Sequence, residues 1–370
     1  MKVYQCIHKY DPHITSFEKK YKPVQNDLSF NEWRNLLIED GFASCNILQP
    51  SKHGNSDEVF YVLWDYENLQ FRWAKENGLK TQNLDEIKLA QIEEFGPDIF
   101  YNISPNYDGN FVNKLEYKKQ LTKICWDAII TANPALHEKY QLRVTLYEPY
   151  VKFWNQHGYG SFLLSPAFPD SWEKLNRNHK DIDILFYGQY NDYFFSDRNK
   201  LIKELIIWAK KKGFNFQLYL QLPAQKRPLI NFRGIRKLTK WMPVAPGIII
   251  NNTLSPIYGQ QLYETIARSK IVVNSFTNYN GLFKDNMRNY ETIGCGAFLI
   301  SEDGIYPDHF VPNTDFLTYS SISELFKKIE YILSLPDQGL QWTEKTREKL
   351  KKIYSKDKQW ENFTNAINSL

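Results

Sequence analysis

The sequence predicts an α/β protein of two doubly wound domains, each a parallel sheet flanked by helices. Three observations carry this. The 370 residues are too many for one ordinary domain and enough for two. Short apolar runs alternate with helical patterns along the chain, and strands separated by helices imply crossover connections and parallel pairing. Many strand-length runs are apolar at consecutive positions, as strands buried on both faces require. The composition is globular, 42% hydrophobic and 24% charged with 17 Gly and 17 Pro, which excludes disorder and collagen-like repeats.

In the first half, Val3–Ile7 reads as a strand. Phe30–Ile38 has helical spacing behind Asp27 and Ser29, both N-cap residue types. Val59–Trp64 has strand length and Leu84–Phe95 is helical. Gly96-Pro97 then breaks the chain before the strand Asp98–Ile103. Leu142–Leu146 reads as a strand, Pro149–His157 as a helix with Pro in its first turn, and Ser161–Leu164 as a strand. Turn chemistry at Ser165–Asp170 and a polar stretch at Asn176–Asp181 mark a boundary near 165–180.

The second half repeats the alternation. Ile182–Tyr187 reads as a buried strand ending at Gly188. Leu201, Ile202, Leu205, Ile206 and Ala209 stripe one helix face, closed by three lysines and Gly213. Phe216–Leu220, Gly247–Ile250, Ile271–Asn274 and Ala297–Ile300 read as strands. Ser321 and Glu324 form a capping-box pattern opening a helix that Pro336 stops. Trp360, Phe363, Ile367 and Leu370 stripe a final helix. The ligand of such folds is expected at the carboxyl ends of the strands, in a central cleft between the domains.

The net charge is +4 and no basic block stands out, so a nucleic-acid partner is not expected. The small positive excess is compatible with an anionic small molecule or a weak contact with a membrane surface. Cys6, Cys45, Cys125 and Cys295 lie far apart without a C-x-x-C pair, which gives a metal site nothing to build on. The first residues lack the apolar core of a signal peptide, and no run approaches the ~18 apolar residues of a spanning helix. The expectation is a cytoplasmic protein, with the inner face of the membrane as a place of peripheral association.

The stretch Lys270–Asp303 carries the chemistry. A helix from about Met287 to Gly294 starts beyond the carboxyl end of Ile271–Asn274, so its free N–H groups form an anion site. Arg288 lies in its first turn, where a cation opposes the positive helix end. A phosphate would resolve that conflict, because the guanidinium fork fits phosphate oxygens. Glu291 follows at i+3, on the same face; a carboxylate beside a nucleotide commonly accepts ribose hydroxyls. The same spacing also suits a plain intrahelical ion pair. Gly294 and Gly296 let the helix end and turn into the next strand, and Cys295 between them reads as a packed thiol. Asp181-Ile182-Asp183 has the form of a D-x-D metal motif but opens a strand instead of ending one.

The stretch DNMRNYETIGCGAFLI resembles the donor-site signature of GT-B glycosyltransferases, in particular their CgeB-like branch with its N-x-R-x-x-E-x-x-x-x-G pattern. Asn286, Arg288, Glu291, Gly294 and Gly296 occupy the matching positions. The flanking ARSKIVVNS, FVPNTDFLTYSSISELFKKIEYIL and IDILFYGQYN are similar to the same family over about 182–355. KICWDAIITANP and the stretch 140–170 resemble its acceptor domain less specifically.

The resemblance implies an acceptor-side Rossmann-like domain at 1–170, a nucleotide-sugar-binding one at 171–355, and a last helix at 356–370 crossing back to the first. It implies a nucleotide-sugar donor, a glycan or lipid-linked glycan acceptor, a role in polysaccharide biosynthesis, and no metal or other cofactor. Gly188, Tyr258, Asn286, Arg288 and Glu291 are the expected donor-binding residues. Many retaining relatives carry a second glutamate eight residues before the position of Glu291; here it is Phe283, so retention of configuration is not implied. The loop His8–His13 lacks the glycines that many relatives place near the diphosphate.

A general base is expected at a strand end of the first half. Asp65, Asp108 and Asp127 are the carboxylate candidates, with Asp108 best placed; His13 and His53 are the loop histidines. Asp108 and His13 are taken as the catalytic pair of candidates. Aromatic residues make up 16%. Phe186, Phe298, Phe326 and Tyr331 fall at expected core positions, whereas Tyr10, Tyr66, Tyr107, Tyr190, Tyr193 and Tyr258 lie in or beside loops suited to sugar contact. The alternatives kept open are a nucleotide-sugar epimerase on the same fold and a non-catalytic surface-assembly protein.

Overall fold

The computed structural model describes residues 1–24, 27–48, 59–127, 138–192, 195–223, 245–277 and 281–370. The candidates His53 and Tyr193 lie outside the described residues. The chain divides into two compact units: Met1–Glu173 with Tyr258–Gln260 and Ile353–Leu370, and Lys174–Ile257 with Gln261–Lys352. Each is a parallel sheet with helices, and the fold is GT-B, two Rossmann-like α/β domains.

The first unit holds six strands: β1 (Val3–Ile7), β2 (Val59–Leu63), β3 (Ile99–Asn102), β4 (Thr122–Trp126), β5 (Leu142–Thr145) and β6 (Ser161–Leu163), ordered β2-β1-β3-β4-β5-β6. All pairs are parallel; Tyr4 of β1 sits opposite Phe60 on one side and Phe100 on the other. Residues of β1 are buried on both faces, and its one polar side chain, Gln5, donates to the Asn46 carbonyl and accepts from Leu48 N. The helix Phe30–Asp40 begins at a full capping box, Ser29 with Glu32, and closes on Gly41 at φ 80. The helix Leu84–Phe95 is capped by Asn83 and closed by Gly96.

One expectation is corrected here. The segment through His13 is not a loop: the chain turns helical at Asp11, with Pro12 in the first turn, and continues to Tyr21. The fixed φ of Pro suits that position, and its missing N–H is not needed there. The final helix, Lys356–Asn368, belongs to this unit and packs Phe363 against Tyr101 in its core.

The second unit holds β7 (Ile182–Gln189), β8 (Phe216–Gln221), β9 (Ser269–Val273), β10 (Phe298–Glu302) and β11 (Leu317–Tyr319), ordered β11-β10-β9-β7-β8 and all parallel. The helix Ser196–Lys212 buries the five striped residues and ends on Gly213 at φ 73. Gly247–Ile250, read as a strand, is a helical turn started by Pro246, with Ile249 in the core. A four-residue apolar run cannot distinguish a buried strand from a buried turn. Tyr331, expected in the core, is 53% exposed.

Strand order reverses at one place in each sheet, between β1 and β3 and between β7 and β9. In open α/β sheets, ligands bind beyond the carboxyl ends of the strands at such a point. Two places therefore merit attention: the residues after β1 and β3, and those after β7 and β9.

Candidate functional site

Beyond β7 and β9, two helices begin with a cation in the first turn. Helix Met287–Gly294 carries Arg288 there, and helix Ser196–Lys212 carries Arg198. Both oppose the positive end of their helix. Gly188 makes room for the first: at φ +149 it adopts backbone that side chains rarely take, and a Cβ there would meet Arg288 Nη2 at 2.8 Å. Arg288 Nη1 donates to Asn274 Oδ1 at 2.7 Å, and the guanidinium lies 4.8 Å from the Tyr187 ring centroid.

Arg198 is buried, donates to the Gln189 carbonyl and lies over the Phe195 ring. Burial, and then the like charge of Arg288, pull its pKa down to about 9. The Nε–H groups of Arg198 and Arg288 are both buried and have no hydrogen-bond partner among the described residues. Desolvated like charges with unused donors are costly unless an anion joins them.

The rest of the cluster fixes this arrangement. Asn286 caps its helix by accepting from Asn289 N at 3.3 Å, while Asn274 Nδ2 donates to Asn289 Oδ1 at 2.8 Å and to Asn286 Oδ1 at 3.2 Å. Asn286 thus spends its side-chain oxygen on positioning the helix. Glu291 accepts from Tyr187 Oη at 2.7 Å; burial raises its pKa, opposed by that hydrogen bond and by Arg288. Glu302, at the end of β10, accepts from Lys284 at 3.1 Å and from Phe276 N at 3.1 Å. Gly296 is required by its own surroundings: at φ +84, a Cβ would meet Arg177 Cδ at 2.5 Å. Cys295 is buried.

The structure thus brings Gly188, Asn286, Arg288 and Glu291 together and adds Arg198, Asn274, Lys284 and Glu302. Sequence reasoning missed Arg198, although the first-turn cation that singled out Arg288 was present there too.

The remaining candidates belong to the first unit. Tyr258 packs edge-on against Tyr10 and His13. His13 is 2% exposed, stacks on Phe42 at 4.2 Å, and holds Asp40 Oδ2 through Nε2 at 2.9 Å. Its Nδ1 is buried with no partner among the described residues. Gly259, at φ +53, lets the chain pass Asp40, since a Cβ there would meet the Asp40 carbonyl oxygen at 2.2 Å.

Asp108 is closed in: its carboxylate pairs with Lys88 at 3.5 Å and accepts from Asn102 Nδ2, which also donates to the Tyr140 hydroxyl oxygen at 2.9 Å. Lys88 itself is fully buried, 4.0 Å from the Phe111 ring centroid. Asp127 is buried and accepts from Trp154 Nε1 at 2.8 Å. Asp65, half-buried, accepts from Lys9 N at 2.5 Å, and burial raises its pKa. Asp181 and Asp183 are taken by Arg268 and Lys270. Among the described residues, no group of three or more His, Cys, Asp or Glu side chains is arranged to hold a metal ion. No helix among them is long and apolar enough to cross a membrane.

Comparison with known proteins agrees with this architecture. Residues 208–365, less than half of the chain, match a family model described as "Glycosyl transferase-like". No match is found among the curated proteins. Many solved structures share the fold, three of them as follows. One is sucrose-phosphate synthase from Thermosynechococcus elongatus, with a TM-score of 0.54 and 13% identity over 100% of this chain and 99% of that one. Another is a UDP-forming α,α-trehalose-phosphate synthase from Burkholderia xenovorans, with a TM-score of 0.51 and 12% identity over 100% and 99%. The third is a TarM variant of S. aureus in complex with Fondaparinux, alpha-GlcNAc-glycerol and UDP, with a TM-score of 0.52 and 13% identity over 77% of this chain. The chain spans 59% of the length of that TarM structure.

Proposed function

We propose that the chain is a GT-B glycosyltransferase that moves a sugar from a nucleotide-sugar donor to a glycan or lipid-linked glycan. The observation that carries this reading is the pair Arg198 and Arg288, two first-turn guanidiniums with unused N–H donors at the switch point of the second sheet. They are assigned to the donor diphosphate. As the sugar leaves it, negative charge grows on the diphosphate, and preorganised cations and helix N–H groups stabilise that charge without rearranging. Metal is not required in this scheme, because the cations supply the charge.

Glu291, held by Tyr187, is assigned to the ribose hydroxyls, and Gly188 and Asn286 to the placement of Arg288 and its helix. Two of the similar structures are named with UDP, which supports a uridine nucleotide as the first donor to try. The CgeB-like subtype rests on the 286–296 pattern.

For the acceptor hydroxyl, His13 is the base assigned here. Asp40 anchors one ring nitrogen, and the other is free to take a proton. Asp108 is the weaker candidate, because Lys88 and Asn102 occupy its carboxylate. Tyr258, edge-on to His13, is assigned to contact with the transferred sugar. A cytoplasmic place of action, peripheral contact with the membrane, and a role in polysaccharide biosynthesis follow from a lipid-linked or glycan acceptor.

The test is product analysis by NMR with nucleotide-sugars, alone and with an acceptor panel. Acceptor-dependent transfer that Arg288→Ala abolishes is expected. Conversion of the donor's sugar without acceptor would make the protein an epimerase, and binding without conversion in every arm would make it a non-catalytic protein.

A further inference from the structure

At the switch point of the first sheet, beyond β1 and β3, the side chains form an aromatic surface. His8 follows β1 directly, and its backbone N–H donates to Ser104 Oγ at 2.7 Å, just beyond β3. The turn Pro105–Tyr107, which follows Ser104 directly, brings the Tyr107 ring onto the His8 imidazole. The centroids are 3.9 Å apart and the planes differ by 8°. Tyr107 is 65% exposed, whereas Tyr66 and Tyr190, two other loop tyrosines, are buried and hydrogen-bonded.

A lone exposed ring needs no explanation. A ring held flat against a second ring, with its other face in water at the switch point of a parallel sheet, is a preorganised platform. Burial pulls the His8 pKa below its ordinary value, so the imidazole is neutral at pH 7 and the platform carries no charge. The polar surroundings are the carboxylate of Asp65, whose charge reaches His8, and the Lys9–Glu67 pair at 2.7 Å.

A flat uncharged ring rimmed by hydrogen-bonding groups suits a ligand with one apolar face and polar edges. A pyranose has that form: its axial C–H bonds make one face apolar, while its hydroxyls point outward from the rim. The edge and face of an aromatic ring have opposite partial charge, and weakly positive C–H groups settle on the face.

We infer that Tyr107, stacked on His8, is a pyranose-binding platform that seats the acceptor sugar. This rests on the glycosyltransferase reading for the word acceptor, but not for the binding itself. Tyr107 acts as a positioning and specificity residue.

The test is saturation-transfer NMR on the full chain with the methyl glycosides of glucose, galactose, mannose and N-acetylglucosamine. In wild type, at least one glycoside is expected to receive saturation on its ring C–H protons. Tyr107→Ala should weaken that binding about tenfold, the worth of one good aromatic contact, while Tyr107→Trp should retain it. Because the ring is largely in solvent, the variants should melt as wild type does. Calorimetry with UDP on the same samples reports the donor reading separately: failure there with glycoside binding intact counts against the donor site alone. The platform is overturned if wild type binds none of the four glycosides, or if Tyr107→Ala binds them as wild type does.

Discussion

The substitution Gly188→Ala tests the anion site at its tightest point. The added Cβ would lie 2.8 Å from Arg288 Nη2. Because that atom is the end of a flexible side chain, the guanidinium moves before the backbone does. Moving it breaks the 2.7 Å hydrogen bond from Nη1 to Asn274, a contact to a charged donor worth about 1.5–3 kcal/mol. The φ of +149 adds backbone strain on the order of 1–3 kcal/mol. Urea unfolding should therefore show a loss of roughly 2.5–6 kcal/mol. Nucleotide affinity should fall about tenfold to a hundredfold, because the displaced fork no longer matches phosphate geometry.

The steric part of this effect requires the arginine. With Arg288→Ala in place, adding Gly188→Ala should change affinity little, so the two effects should be strongly non-additive. Calorimetry with UDP and unfolding curves for the four proteins of the cycle give both numbers. If Gly188→Ala binds nucleotide like wild type, or if the two losses add, Gly188 does not act through Arg288.

Three further outcomes follow from other parts of the molecule. Asp108→Ala leaves the Lys88 ammonium buried without its carboxylate and should cost about 3–5 kcal/mol by urea unfolding, with much of the loss recovered when Lys88→Met is added. Glu324 accepts from Ser320 and Lys328, and those hydrogen bonds hold its pKa down to about 2. Its folded value lies below its unfolded one, so its contribution is present above about pH 4.5 and lost as pH falls toward 2; Glu324→Gln should flatten that part of the stability profile. Ser29→Ala removes the cap of helix Phe30–Asp40 and should lower stability by about 1 kcal/mol without changing nucleotide affinity.

The parts of the fold that were legible in the sequence are those set by local chemistry. Ser29, Gly213 and Ser321 mark helix ends because a cap is satisfied within three or four residues of itself. Strands such as Ile182–Tyr187 were legible because burial on both faces makes Ile184–Tyr187 apolar at consecutive positions. The helix Asp11–Tyr21 was hidden by a start without a side-chain cap. The three-residue β11 is too short to show a period. Gly247–Ile250 failed because tertiary packing, not propensity, decides the state of four apolar residues.

The site divides the same way. Arg288 and Glu291 sit one helical turn apart, so their shared face was readable. The approach of Gly188 to Arg288 joins residues a hundred positions apart through sheet order, which no local pattern encodes. Asp108 was placed correctly after β3, but its burial with Lys88 comes from the preceding helix folding back over the strand, which no local pattern shows.

The central claim is that Arg198 and Arg288 together hold a donor diphosphate. Calorimetric titration of wild type, Arg198→Met and Arg288→Ala with UDP, GDP, CMP and dTDP tests it most directly. One nucleotide is expected to bind wild type at one site per chain, with UDP or GDP preferred over a monophosphate, and at least about tenfold more weakly in each variant. Absence of binding by all four nucleotides to wild type, or binding that neither substitution alters, would contradict it.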